Sequence, residues 1–173
     1  MPDIDAERRA VVVEAHTWLR TPYHHMGRVK GAGVDCATLL AEVYARAGVV
    51  EAQAIPFYPP DWHLHRNAER YLDVILAQAV EIETVPRLGD VAMWRFGKCF
   101  SHGAIVVDWP LVIHAYAGRG CVLEDVEQAV WLSRLSGRRR ADDRERPVKF
   151  FTLKRWTEEA RDVSVRLLNA GPV

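Results

Sequence analysis

Three residues of this 173-residue chain have types and an order that suit nucleophilic chemistry: Cys36, His102 and His114. Cys36 follows a loop containing Gly27, Gly31 and Gly33, and it opens Val34-Asp35-Cys36-Ala37-Thr38-Leu39-Leu40, which reads as the first turn of a helix. Unpaired N–H groups at a helix start carry partial positive charge, which favours the thiolate, the nucleophilic form of cysteine. Taken alone, a helical cysteine is more often a small buried hydrophobe. The second half of the chain separates these readings. Ser101-His102-Gly103-Ala104-Ile105-Val106-Val107 places His102 at the mouth of one strand, and Val112-Ile113-His114-Ala115-Tyr116 places His114 inside the next. If those strands form a hairpin about Trp109-Pro110, both imidazoles lie on one face. A thiol, a base and a polar group that orients the base make a nucleophilic triad. His114 sits among apolar residues and would be costly to bury without such a partner.

The elements that must position these groups follow from pattern and punctuation. Asp3 or Asp5 can cap a first helix, with Ala10, Val13 and Trp18 on a broad buried face up to Arg20, where Thr21-Pro22 stops it. Residues from Tyr23 to Val34 read as loop. A second helix runs from Asp35 or Cys36 to about Ala47, with Gly48 as its stop. After the rigid Pro56, Pro59 and Pro60, a third helix capped by Asp61 carries Leu64, Ala68, Tyr71, Leu72, Ile75, Leu76 and Ala79 at helical spacing. Beyond Pro86 come short β-rich runs, Asp90–Phe96, His102–Asp108, Leu111–Tyr116 and Cys121–Val126, separated by turn signals. A short helix at Glu127–Leu135, an exposed loop at Ser136–Arg146, a last strand at Pro147–Leu153 and an amphipathic tail from Trp156 to Leu168 complete the reading. Helices first and an antiparallel sheet afterwards make an α+β arrangement in one domain over 1–153, with a helical tail segment over 154–173.

Composition narrows the function classes. Lys plus Arg and Asp plus Glu both number 23, a balance that argues against a dedicated nucleic-acid binder. The charged start lacks the apolar run of a secretory signal, and no stretch has the length of a membrane span. Three cysteines, Cys36, Cys99 and Cys121, have no disulfide-framework spacing and are expected as free thiols. A competing reading makes Cys99, His102, His114 and Cys121 a zinc site, although the second pair lacks ligand spacing. His24, His25, His63 and His65 read as loop and helix-surface residues. No cofactor is expected.

Taken in order, Thr21-Pro22-Tyr23, Val34-Asp35-Cys36, Leu88-Gly89-Asp90-Val91, Ser101-His102-Gly103 and Val112-Ile113-His114-Ala115 resemble the NlpC-type cell-wall peptidases. Gly31 to Cys36, Tyr58-Pro59-Pro60-Asp61-Trp62 and His114-Ala115-Tyr116 look closest to the branch encoded with tail genes of bacteriophages and gene-transfer particles. The resemblance spans roughly Trp18 to Arg140. It implies a papain-like fold, with Cys36 at a helix N-terminus against the sheet, and cleavage of peptide bonds in peptidoglycan stems.

The same resemblance implies roles for residues. Cys36 is nucleophile, His102 general base and His114 third triad member. Tyr23 is a pocket tyrosine near the oxyanion, Asp35 an acid that engages a substrate's free amine, and Ser101 a nearby polar position. A plain helix cap is the other reading of Asp35. Relatives often follow Asp-Cys with Ser-Gly; here Ala37-Thr38 stand instead, and Thr38 is expected to narrow the approach that glycine allows. A histidine third member carries no fixed charge, so it stabilises an imidazolium less than aspartate does. The expected partners are bacterial peptidoglycan and tail-tip or baseplate proteins, with the chain made in the bacterial cytoplasm, assembled into a virion-like tail and acting at the cell wall. The alternative is a structural tail-tip protein that uses the fold for docking, for which Arg138-Arg139-Arg140 offers a basic surface.

Overall fold

The computed structural model describes residues 3–52, 54–59, 69–129 and 147–157, and within them helices cover one face of an antiparallel sheet. Helix α1 (Ile4–His16) starts where Asp3 accepts the Ala6 N–H at 3.0 Å, with Asp5 and Glu7 in the favourable first turn. Its buried face is Ile4, Arg8, Val11, Val12 and Ala15. The expectation of Ala10 and Val13 on that face fails; both are exposed, and the helix ends at His16 rather than Arg20. Trp18, past the helix, is fully buried. Past the helix, Arg20, at φ 70°, donates its N–H to the Cys121 carbonyl at 2.9 Å, so this stretch is held by a non-helical contact.

The segment read as loop contains a small hairpin, β1 (Arg28–Val29) with β2 (Gly33–Val34). Helix α2 (Cys36–Arg46) buries Thr38, Leu39, Leu40, Val43 and Tyr44 and ends, as expected, before Gly48. Helix α3 (Arg70–Gln78) is the described part of the third predicted helix; Asp61, Leu64 and Ala68 lie outside the described residues. Ala79 is not helical. It opens β3 (Ala79–Ile82), because Ala79 pairs with Leu153 of β8 (Val148–Leu153).

Strands β4 (Val91–Phe96), β5 (Cys99–Asp108), β6 (Leu111–Tyr116) and β7 (Gly120–Asp125) follow one another as hairpins. The sheet order is β3-β8-β4-β5-β6-β7. β5 starts three residues before the predicted His102, since Cys99 and Phe100 continue the pairing with β4. Alternation divides the sheet. Met93, Ile105, Ile113 and Phe151 pack under α2, while Ala92, Trp94, Ala104, Val106 and Val112 form a second cluster with Ala129. Glu127 and Gln128 lie in a turn, and the rest of the predicted short helix, the basic loop and the tail beyond Thr157 lie outside the described residues. The boundary expected after Leu153 falls within packed structure, since Trp156 is buried and donates to Glu7 at 2.7 Å.

One buried ion pair ties α1 to the sheet. Arg8 donates to Asp90 at 2.8 Å, to the Leu88 carbonyl at 2.7 Å and to Thr152 at 2.8 Å, and its guanidinium lies 4.3 Å from the Trp156 ring centroid. Asp90 also accepts the Arg87 N–H at 2.7 Å. This accounts for Leu88-Gly89-Asp90: Gly89 has φ +79°, and a Cβ there would lie 3.3 Å from the Arg8 carbonyl. Asp90→Ala would strand a buried guanidinium, and we expect a stability loss of about 3–5 kcal/mol. A urea titration reads this as a lower midpoint, and an unchanged midpoint would refute the central role given to the pair.

Candidate active site

The site begins at the cap of α2. Asp35 is extended (φ −113°) and accepts the N–H groups of Ala37 at 3.1 Å and Thr38 at 2.9 Å on one oxygen. The Thr38 hydroxyl in turn accepts the Asp35 N–H at 3.0 Å. This is a capping box. Thr38 therefore fixes the start of the helix, a local role that glycine cannot fill.

Capping sets Cys36 in the first turn, half-buried and facing a cavity of about 600 Å³. Its Sγ meets the backbone on both sides of His102: the thiol donates to the Ser101 carbonyl at 3.7 Å, and the Gly103 N–H reaches the sulfur. β5 pairs with β6 from Ile105 onward, so this stretch of β5 is open to the helix end. Tyr71 on α3 donates its hydroxyl to the Cys36 carbonyl at 3.1 Å. A Cβ on Gly103 would lie 2.4 Å from that hydroxyl, so the close approach requires glycine.

The expected stabilisation of a thiolate by the helix start is outweighed. Burial pushes the Cys36 thiol up to about 12, and the Asp35 charge adds to it, against lowering by the N–H groups of Gly103, Ala37 and Cys36 itself. At neutral pH the isolated thiol keeps its proton and needs a base.

His102 stands opposite Trp94 in the β4–β5 register, with its ring against Phe96 and Tyr116 at centroid distances of 5.3 and 5.7 Å. Its Nε2 lies 2.9 Å from Nδ1 of His114. The fully buried His114 continues through Nε2 to Glu124 at 3.1 Å, and Arg119 donates to the other Glu124 oxygen at 2.6 Å. Burial lowers the His114 pKa, with Glu124 partly opposing it, so the ring is neutral at neutral pH. The partner that a buried His114 requires is thus present on both sides.

Five of the six residues singled out in the sequence, Tyr23, Asp35, Cys36, Ser101 and His102, line the one cavity, and His114 backs His102. Ser101 contributes its carbonyl to Cys36, while its hydroxyl donates to the Phe96 carbonyl at 3.4 Å. Burial, with the charges of Cys36 and Asp35, raises the Tyr23 pKa and keeps the phenol protonated. Asp35 is only 1% exposed. Its second oxygen accepts the Met26 N–H at 2.8 Å and the Tyr58 hydroxyl at 2.5 Å. His25 Nδ1 lies 3.5 Å from the same oxygen, and its Nε2 donates to the Tyr58 carbonyl at 2.7 Å. His25, read from the sequence as a loop residue, is therefore part of the site wall.

Sequence reasoning also passed over Glu124, Tyr58 and Tyr71 as site residues. For Glu124 a signal existed: it sits two positions beyond Val122, the cross-strand partner of His114, and so on the same face. The zinc reading finds no support in the geometry. Cys99 and Cys121 are buried in the core, and among the described residues no three His, Cys, Asp or Glu side chains gather as a metal site. Among them, too, no helix is long and apolar enough to cross a membrane.

No family model and no curated protein matches the chain in sequence. Solved structures do match in shape. The NlpC/p60 domain of the peptidoglycan hydrolase SagA aligns with TM-score 0.50 and 21% identity, over 69% of this chain and 90% of that one. The peptidoglycan hydrolase RipB from Mycobacterium tuberculosis aligns with TM-score 0.50 and 17% identity, over 88% and 67%. An NLP/P60-family protein similar to lipoprotein, from Staphylococcus aureus, aligns with TM-score 0.50 and 23% identity, over 79% of this chain but 41% of its own. The fold is therefore the α+β, papain-like fold of NlpC/p60 domains.

With Cys36 at the cavity and the other thiols enclosed, a thiol reagent is expected to label Cys36 first. Replacing His102 by Gln leaves the thiol to ionise alone. Its labelling should then climb about tenfold per pH unit through the alkaline range, because thiolate is populated only as pH approaches about 12. Wild type, with the imidazole present, should label faster than the variant below that range. Identical profiles for the two proteins would reject His102 as the base.

Proposed function

We propose that the protein is a cysteine endopeptidase that hydrolyses peptide bonds in peptidoglycan stem peptides, as a component of a phage-like tail or gene-transfer particle. The observation that carries the reading is the Cys36 thiol and an anchored His102 imidazole lining one cavity of an NlpC/p60 fold. Two proteins of similar shape are named as peptidoglycan hydrolases, which supports the substrate class. The particle setting rests on the likeness of Gly31 to Cys36 and of the Tyr58-Pro59-Pro60-Asp61-Trp62 stretch to the tail-gene branch.

In this reading His102 takes the Cys36 proton as sulfur attacks the scissile carbonyl. The Cys36 backbone N–H and the protonated Tyr23 phenol meet the developing oxyanion. His102 then gives its proton to the departing amine, leaving a thioester. A water loses a proton to His102 and attacks the thioester, which releases the acid and restores the thiol. Asp35 receives the free amine of the stem in exchange for the Tyr58 hydroxyl on one of its oxygens, and Ser101 holds the wall beside the nucleophile.

Particles carrying wild type or Cys36→Ala, incubated with isolated peptidoglycan, test both halves of the proposal. New amino termini should fall by at least ~10³-fold in the variant, with particle assembly unchanged. Equal release from both would leave the docking role as the better account, and absence of the protein from purified particles would remove the tail setting.

A further inference from the structure

We propose that Glu124 is a positioning residue that sets the direction of the hydrogen-bond chain ending at the base. This rests on the catalytic reading of Cys36, His102 and His114. A neutral imidazole carries one N–H, and either nitrogen can hold it. The carboxylate of Glu124 can only accept, and it lies 3.1 Å from Nε2 of His114. His114 therefore carries its proton on Nε2 and presents a lone pair at Nδ1. That lone pair lies 2.9 Å from Nε2 of His102, which must then be the donor. The proton of His102 is thus on Nε2, and Nδ1 is the basic nitrogen that serves the thiol.

The reversed chain is equally well hydrogen-bonded between the two rings but useless for chemistry. There His114 would donate from Nδ1 and His102 would hold its proton on Nδ1, where no base remains for Cys36. Nothing within the His102–His114 pair chooses between the two directions; the acceptor at the far end does. Arg119 donates to the other oxygen of Glu124 at 2.6 Å, which leaves Oε2 turned toward His114. Glu124 also supplies the fixed negative charge that a histidine third member lacks. When His102 becomes an imidazolium, that charge stands at the end of the chain, transmitted through one neutral ring.

Histidine tautomers are read directly from long-range proton–nitrogen NMR spectra of the 15N-histidine-labelled protein. The expected pattern is His114 protonated at Nε2 and His102 protonated at Nε2. Glu124→Ala should shift His114 toward the Nδ1-protonated tautomer and slow Cys36 labelling near neutral pH by at least ~10-fold. Peptide hydrolysis should lose kcat with KM unchanged. Glu124→Gln, close in shape, should retain the fold and part of the tautomer preference but not the charge, and so should label at an intermediate rate; it also serves if the alanine variant does not fold. An unchanged His114 tautomer with unchanged labelling in both variants would overturn the proposal. Because the spectra and the labelling use no peptidoglycan, they can stand when cleavage of that substrate fails, and fail when cleavage stands.

Discussion

Burial, with a carboxylate one residue away, keeps the Cys36 thiol protonated near neutral pH, and most of the site is arranged around that constraint. Asp35 has to be where it is, because α2 needs a cap and Thr38 completes the box. The same charge sits one residue from Cys36 and opposes the thiolate, on top of burial. The N–H groups of the helix start pull the other way but lose. The thiol is therefore held in reserve, and only a neighbouring base can release it. In the proposed mechanism, reactivity is conditional on the His102 chain, which limits wasteful reaction of an otherwise accessible sulfur.

The sheet places the His102 imidazole through its register. Cys36 touches the backbone on either side of His102, so the helix end and the strand are aligned to one another at the residue that matters. Tyr71 and the absent side chain of Gly103 keep α3 close over the same spot. Further off, the Arg8–Asp90 pair pins α1 against the start of β4, and the Tyr44 hydroxyl donates to the Gly89 carbonyl at 2.7 Å, joining α2 to the same turn. The turn before β4 thus fixes two helices relative to the strands that carry the imidazoles.

How far the sequence could be read follows from the range of each interaction. α2, its stop at Gly48 and the strands from β4 to β7 were legible because capping, turn chemistry and alternation are local. The gathering of Cys36 and His102 at one cavity, with His114 behind His102, was legible because residue type and order suggested that they meet. β3 was not, since Ala79 is drawn out of the helical pattern by a strand near the far end of the chain. The face of α1 was misread because Ala10 and Val13 lie off the stripe of Ile4, Arg8, Val11, Val12 and Ala15 that is buried, which includes an arginine. Glu124 was missed for want of a register, and the seating of His25 and Tyr58 against Asp35 for want of a tertiary contact. The activation of Cys36 was misjudged because desolvation is a property of the packed site, not of the helix start.

The Tyr58 hydroxyl, the Met26 N–H and Nδ1 of His25 already surround one oxygen of the buried Asp35. Any incoming cation must therefore compete with an internal ligand tethered to the same chain. Binding there is an exchange rather than an addition, and its free energy is a difference between two hydrogen bonds. A weak or misplaced donor leaves the tyrosine in possession. Were Asp35 the amine receptor proposed above, it would grade visitors by how well they replace a phenol, a form of discrimination that operates before any bond is broken.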